Sequence, residues 1–467
     1  MQIVWAKIVA FTLKKQLFYK NILSALQLNL FDLSLQLNGF PIKKAKRDLS
    51  QIQNLNDKAY ALYLETRKKV ILNFHLGHNN YYRTLTKDKT ISDWNSVPVM
   101  TKRDLQKPLK DRLSSGFHIK DVYVNKTSGS SGDPFIFAKD NYCHALTWAI
   151  IQDRFSWFNL DFNRSKQARF YGIPLDKKGY YKERFKDLLS NRFRFSIFDL
   201  SETAFESCLN KFRSYPFEYI NGYTSAIVQF AKFLNGKHIN LKDNCPTLTA
   251  CVVTSEMLFE EDKQLMERVF GVPVINEYGA SELDLIAFQN PSGDWQINSE
   301  SLFVEILDEH DKSVPFGQEG RVIITSLYNK AHPFIRYEIG DLGILSPKST
   351  LQCPVLEKLI GRTNDIAILP SGKKAAGLTF YYVTKSIIED DGNVKEFIIE
   401  QIELDTFKII YSSESPISES KKDTIKNEME SYLEKGLTIQ FERQEQMKRS
   451  KSGKLKQFSS LIKTNHI

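Results

Sequence analysis

The sequence predicts an α/β fold: a large N-terminal domain of strand–helix alternating sheets over residues 1–361 and a small α+β domain over 362–467. Three observations carry this. From about residue 122 to Asn276, short β-branched and aromatic runs alternate with amphipathic stretches, the pattern of right-handed βαβ crossovers and a largely parallel sheet. After Asn276 the texture turns β-rich, with Gly317 and Gly320 between alternating runs. Finally, a polar stretch at Gly361–Asp365 precedes a segment with its own hairpin and helix pattern. At 467 residues and 42% hydrophobic content the chain can bury a core without staples.

Residues 1–120 read as mostly helical. The opening Met1–Leu13 is apolar but broken by Lys7, and reads as an amphipathic helix packed on its own domain rather than a signal peptide or membrane anchor. In Val97–Leu105, Thr101 is placed to cap a helix, with Asp104 three residues on to accept backbone N–H groups. Val122–Val124 is β-like. Strands are then expected at Arg169–Ile173, Phe195–Phe198, Glu218–Ile220, Leu248–Val253 and Val274–Asn276. Helices are expected between them at Tyr180–Asn191, Ser201–Ser214, Ser225–Leu234 and Glu260–Phe270. Ser301–Leu307 and Arg321–Ser326 alternate as strands. In the last unit, Asp365–Leu369 and Phe397–Glu403 are strands, and Asp405 turns into Phe407–Tyr411. Ile425, Met429, Tyr432 and Leu433 recur at helical spacing, and Leu437, Ile439 and Phe441 alternate as a final strand.

The net charge is +9. From Arg362 onward 17 basic and 16 acidic residues nearly cancel, so the first 361 residues carry +8. That excess favours an anionic partner such as a nucleotide, a sugar nucleotide or an acidic surface, and no clustered basic module points to nucleic acid. No run approaches the ~20 apolar residues of a membrane span. The five cysteines are scattered, read as small buried hydrophobes, and fit a reducing, cytoplasmic setting. His75 and His78 read as a surface pair and His332 as a bystander; no Ser/His/Asp triad is present. A homodimer is compatible with the sequence but not specified by it.

Four segments carry chemistry. Thr127-Ser128-Gly129-Ser130-Ser131-Gly132-Asp133-Pro134 follows a strand and offers hydroxyls and unhindered N–H groups, the material of a phosphate cradle. It lacks the Gly-Lys-Ser/Thr ending of a Walker A loop. Asn276-Glu277-Tyr278-Gly279-Ala280-Ser281-Glu282 is expected directly after a parallel strand, where open sheets place ligands. It supplies an aromatic face and a carboxylate suited to Mg²⁺. Pro333–Gly343 presents Asp341 on a glycine-flanked turn, and Gly361–Asp365 presents Arg362.

Together and in order, these segments resemble the adenylate-forming superfamily of acyl-CoA synthetases, adenylation domains and luciferases. The resemblance is closest to its phenylacetate–CoA ligase-like and CapK-like branch. It rests also on Val97–Leu105, on Ile335-Arg-Tyr-Glu-Ile-Gly-Asp-Leu342 and on Ser452-Gly-Lys-Leu-Lys-Gln-Phe458, and it spans roughly residues 60 to 460. It implies a ligase that joins a carboxylate to the α-phosphate of ATP, releasing pyrophosphate, and then passes the acyl group to an amine or the thiol of CoA with loss of AMP.

By the same resemblance, Thr127–Gly132 would wrap the β- and γ-phosphates and Glu282 would hold Mg²⁺. Tyr278 would stack on adenine, with Thr254-Ser255-Glu256 as the facing wall, and Asp341 with Arg362 would fix the ribose. Lys454 matches the family's adenylation lysine, within a run from 447 to 463 holding six Lys or Arg and no acid. Asn364 falls at the hinge about which the small domain turns. The acyl pocket is expected at Tyr171, Asn221, Gly222 and Tyr223, too polar for a long fatty acid. Asp133, Asn364 and the Thr254-Ser255-Glu256 triplet depart from the common family pattern. The implied substrate is a small-molecule or sugar-linked carboxylate in surface-polysaccharide synthesis. An aryl-acid CoA ligase and a catalytically idle nucleotide-binding scaffold are the alternatives.

Overall fold

The computed structural model describes residues 29–87, 89–127, 135–171, 183–184, 186–187, 190–197, 200–362, 366–372, 374–376, 388, 393–447 and 456–462. The Met1–Leu13 stretch, most of the helix expected at Tyr180–Asn191, Ser128–Pro134, Asn364 and Lys454 lie outside these residues.

The amino-terminal part is helical as expected, with helices Leu30–Leu37, Ile42–Gln53, Asp57–His78 and Asn80–Leu85. Asn56 caps the longest by accepting the Ala59 N–H, satisfying one of the donors every helix start leaves open. The start expected at Thr101 is tighter than a full helix. Asp104 accepts the Thr101 N–H at 2.7 Å, but only a single 3₁₀ turn, Asp104–Gln106, follows.

A hairpin of β1 (Tyr123–Lys126) and β2 (Ile136–Lys139) leads into helix Asn141–Ser156, whose first turn is capped by Asp140. The central sheet then forms from β3 (Gln167–Phe170), β4 (Arg192–Phe195), β5 (Tyr219–Tyr223), β6 (Ala250–Thr254), β7 (Val274–Ala280), β8 (Asp284–Gln289) and β9 (Trp295–Ile297). Its order is β4-β3-β5-β6-β7-β8-β9, parallel through β7 and antiparallel beyond. β6 is buried at every position, as a parallel strand covered on both faces must be. Helices Glu202–Ser214, Thr224–Gly236 and Glu260–Phe270 pack on one face through Phe205, Phe212, Phe230 and Phe270. Helix Asn141–Ser156 covers the other through Phe155, against Tyr219 and Phe288. Glu260–Phe270 has the expected bounds, closed by Gly271 at φ +70°.

A second, antiparallel sheet holds β10 (Leu302–Leu307), β11 (Glu319–Ser326), β12 (Tyr337–Leu345) and β13 (Leu356–Arg362). The Val97–Leu105 segment docks beside the amino-terminal end of β12, ahead of its pairing with β13. The Met100 N–H donates to the Arg336 carbonyl and Glu338 N–H to the Met100 carbonyl, while the buried Arg336 guanidinium donates to the Asn95 and Val97 carbonyls. Two segments 240 residues apart in sequence are thus one structural unit.

β14 (Ile366–Ile368) pairs with β15 (Lys374–Ala376). The carboxyl-terminal sheet, in order β18-β17-β16-β19, contains β16 (Val394–Gln401), β17 (Thr406–Ser413), β18 (Thr438–Gln444) and β19 (Phe458–Ser460). The Asp405 hairpin and helix Glu419–Tyr432 are as expected, but β18 is not the last strand: β19 adds in parallel to β16. Phe259, at the start of helix Glu260–Phe270, is buried in the core of this sheet with Ile399, Phe407 and Ile425.

The histidines correct the surface reading. His78 is exposed, but His75 is fully buried, donating from Nε2 to the Asn329 carbonyl at 2.9 Å while Nδ1 faces the Ser114 hydroxyl. Helical spacing located the pair but not the chain that covers it. Burial pushes His75 down to about 4, so the folded state keeps it neutral where an unfolded chain takes up a proton near 6.5. The contribution is present above pH 6.5 and is lost as the pH falls toward 4, amounting to about 3 kcal/mol. His75→Gln should therefore flatten the acid limb of a Tm-versus-pH curve, and an unchanged limb would refute the assignment. Cys143, Cys208, Cys245 and Cys251 are buried as expected, but Cys353 is exposed.

Candidate active site

Among the described residues, Tyr171, Tyr223, Ser255, Glu256 and the Glu277–Glu282 segment lie at the carboxyl ends of central-sheet strands, while Asp341 lies on β12 of the second sheet. Thr127 closes the base of its loop: its N–H donates to the Phe135 carbonyl and its hydroxyl accepts the Phe135 N–H, both at 3.0 Å. Ser128, Gly129, Ser130, Ser131 and Gly132 lie outside the described residues. At the end of the same hairpin, buried Lys139 pairs with Asp284, two residues past Glu282. This ion pair fastens the loop-bearing hairpin to the β7–β8 hairpin.

The Asn276–Glu282 segment corrects one expectation. It does not begin after the strand: β7 runs on to Ala280, and Ser281 and Glu282 form the turn into β8. Antiparallel pairing with β8 holds these residues extended beyond the point where the parallel ladder ends. Gly279 is required there, because a Cβ would lie 2.6 Å from the Asp284 carbonyl oxygen.

Tyr278 donates its hydroxyl to Asp341 Oδ2 at 2.6 Å, and Tyr337 donates its hydroxyl to Glu282 Oε1 at 3.0 Å. All four side chains are buried. The Tyr278 ring packs toward Trp295, with centroids 5.8 Å apart. Asp341 lies within β12 rather than on a turn, with Gly340 at φ +91° absorbed into an irregular strand whose register shifts between Leu342 and Gly343. Its backbone partner across the ladder is Arg362, so the two residues expected at a ribose sit opposite each other on β12 and β13.

Just past β6, Ser255 takes φ +71° and Glu256 turns back to cap helix Thr224–Gly236, accepting the Ser225 N–H at 2.7 Å. A carboxylate there complements the positive helix end. Thr254 donates to Glu277 Oε1 at 2.9 Å, and burial raises the Glu277 carboxyl above its ordinary range. In the expected acyl pocket the Tyr171 and Tyr223 rings lie 4.7 Å apart. Asn221 spends its amide within the sheet, accepting from Gln167 and donating to the Val252 carbonyl. Gly222 is fixed by packing: a Cβ would meet the Phe170 carbonyl oxygen at 2.4 Å.

Sequence reasoning missed Tyr337 and Lys139. Tyr337 sits inside the quoted Ile335–Leu342 motif, so its position was in view although its partner was not. His332 is buried against the Arg112 guanidinium, which pushes it well below its ordinary range along with burial, and it belongs to the core. Among the described residues no group of three or more His, Cys, Asp or Glu is arranged to hold a metal ion alone, and no helix is long and apolar enough to cross a membrane. A separate polar recess of about 600 Å³ is lined by Lys44, Asp48, Arg67, Tyr142, Tyr328 and Lys330 and involves none of the expected site residues.

No family model matches the chain. It is 24% identical to protein CapK of Staphylococcus aureus over 325 residues, covering 68% of this chain and 69% of that protein. It is 30% identical to phenylacetate–coenzyme A ligase of Aromatoleum evansii over 112 residues, which is 22% of this chain and 25% of that enzyme. Its fold matches that of a 2-hydroxyisobutyryl-CoA ligase crystallised with an acyl-adenylate in the postadenylation state, with a TM-score of 0.63 and 15% identity over 87% of this chain and 90% of that one. In the order of its motifs, the fold they build and these relatives, the chain is similar to the adenylate-forming superfamily, on its CapK-like and phenylacetate–CoA ligase-like branch.

Proposed function

We propose that this protein is an ATP-dependent ligase that activates a carboxylate as its acyl-adenylate. The carboxylate oxygen attacks the α-phosphorus of ATP and pyrophosphate leaves. An amine or the thiol of CoA then attacks the acyl carbon, and AMP leaves. The observation that carries this reading is the coupling of Tyr278 to Asp341 and of Glu282 to Tyr337 at the strand ends, which holds two carboxylates and an aromatic ring in fixed positions around one cleft edge. Preorganised groups of this kind are what a phosphate-centred transition state needs, since positioning and charge stabilisation supply most of the catalysis.

On this reading Asp341 and Arg362 take the ribose, Tyr278 borders the adenine with Ser255 and Glu256 opposite, and the Thr127–Gly132 loop takes the phosphates. Gly279, Ala280 and Ser281 form the floor between nucleotide and acyl group. Glu282 suits a magnesium ion: it is a buried hard-oxygen donor with one oxygen held by Tyr337, and Mg²⁺ commonly uses one or two carboxylates together with substrate phosphates. Bound there, the ion would neutralise charge on the phosphate oxygens. On this reading Lys454 supplies the cation of the first step, Asn364 the pivot, and residues 362–467 the cap. The acyl donor is then a sugar-linked carboxylate of surface or capsular polysaccharide synthesis, the class that the resemblance to CapK-like proteins implies. The shorter match to phenylacetate–CoA ligase favours CoA as acceptor.

Purified protein, ATP, Mg²⁺ and hydroxylamine, assayed across a panel of carboxylates, should give acid-dependent pyrophosphate exchange and a hydroxamate. Failure with every acid would refute the activation step. Replacing hydroxylamine by CoA, then by amines, reads the acceptor.

A further inference from the structure

Three arginines line adjacent strands beside the acyl pocket, and their surroundings differ. On β4, Arg192 pairs with Asp187 at 2.6 Å, and Arg194 pairs with Asp187 and Glu183 at 3.1 and 3.0 Å. Arg169 on β3, directly opposite Arg194 in the ladder, has no carboxylate within ion-pair distance among the described residues, and its buried Nε has no hydrogen-bond partner. Its guanidinium carbon stacks 4.1 Å from the centroid of the Tyr171 ring. Stacking occupies the flat face of the group and leaves its N–H edge for an acceptor in the ring plane.

Strand alternation puts Gln167, Arg169 and Tyr171 on one face, shared with Asn221, Tyr223, Thr254 and Glu277. The Gln167–Asn221 and Thr254–Glu277 hydrogen bonds fix that assignment. Arg169, Tyr171 and Glu277 are each only half-buried, so this polar cluster opens at the carboxyl end of the sheet, where α/β folds take their ligands. Glu277 is close enough for Arg169 to act on its ionisation, yet the two form no ion pair. The Glu277 carboxylate is held by the Thr254 hydroxyl instead, so Arg169 faces it without a direct bond.

We propose that Arg169 is a specificity residue that binds a second anionic group, carboxylate or phosphate, on the acyl donor, remote from the carboxylate that is activated. The inference rests on the ligase reading and narrows its substrate class to acids carrying a second acid function. Charged hydrogen bonds to a planar guanidinium are strong and directional, so a matched acid lacking the second group forgoes them, leaves the buried Nε unpaired and is disfavoured.

Butyrate, succinate and 3-phosphonopropanoate are similar in length and differ at the far end. In pyrophosphate exchange, wild-type protein should prefer one of the two diacids over butyrate by at least tenfold in kcat/KM, and whichever it prefers identifies the second group. Arg169→Met should lower that preference at least tenfold, mainly through KM for the diacid, and Arg169→Lys should restore part of it. No preference in the wild type, or an equal fall for all three acids in Arg169→Met, would overturn the inference while leaving the ligase reading standing. If no acid is activated, the ligase reading fails, and calorimetry with the same acids still decides: diacid binding lost in Arg169→Met supports the site, while equal binding by both proteins, or none by either, removes it.

Discussion

Lys454→Ala should lower carboxylate-dependent pyrophosphate exchange by about 10²–10³-fold, or about 3–4 kcal/mol, the scale of losing one preorganised donor to a developing oxyanion. Lys454 lies outside the described residues, but both flanks are fixed. The chain leaves the carboxyl-terminal sheet from β18, at Gln444 on one edge, and re-enters at Phe458 on the opposite edge, where β19 pairs with β16. The Ile399 N–H donates to the Gln457 carbonyl, Ser460 donates its hydroxyl to Gln401, and Leu461 N–H donates to the Gln401 carbonyl. The described residues on either side of Lys454 therefore belong to one sheet. Acyl transfer from chemically prepared acyl-adenylate should be far less affected, because the second step has no pyrophosphate to expel. Lys454→Arg should recover little, since a planar fork does not replace a compact point charge. Exchange within twofold of wild type in Lys454→Ala would end this assignment.

Much of this was legible because it is local. Serine and asparagine caps, Gly271 past a helix end and the alternation of β18 are written in neighbouring residues, and those elements appear where spacing puts them. Errors fell where distant chain decides. Glycines on both sides of Asp341 read as a turn, but pairing with β11 and β13 holds Gly340 inside a strand. β7 was read as ending at Asn276 because nothing local announces that β8 returns along its edge. The motifs identified Glu282, Tyr278 and Asp341 by resemblance, yet the hydroxyl contacts that join them bridge 55 and 63 residues and leave no periodic trace. Arg169 had no signal at all: a lone arginine in a strand becomes informative only once its neighbours are seen to be paired and it is not.

Arg154→Met should be the most destabilising single change that leaves the cleft chemistry untouched, at about 3–5 kcal/mol. Arg154 is 1% exposed on helix Asn141–Ser156, and its Nη2 reaches both oxygens of buried Glu300 at 2.6 Å while Nε donates to Asn298 at 2.8 Å. These bonds tie the helix covering one face of the central sheet to the chain entering the second sheet, so their loss is felt by both layers. Methionine fills the space but leaves Glu300 buried without its cation. The loss of stability should depend on pH in a defined sense. A buried carboxyl without a partner is held more easily as the neutral acid, so the deficit grows as pH rises from 5 to 8 and ionisation is demanded. Adding Glu300→Gln should recover at least half the loss, because the uncompensated charge is then gone. Urea unfolding of the single and double variants at both pH values makes the comparison. Equal stabilities for the two variants, or a deficit that ignores pH, would mean that packing around Trp157, which the Arg154 guanidinium overlies at 4.7 Å, rather than the ion pair holds these layers together.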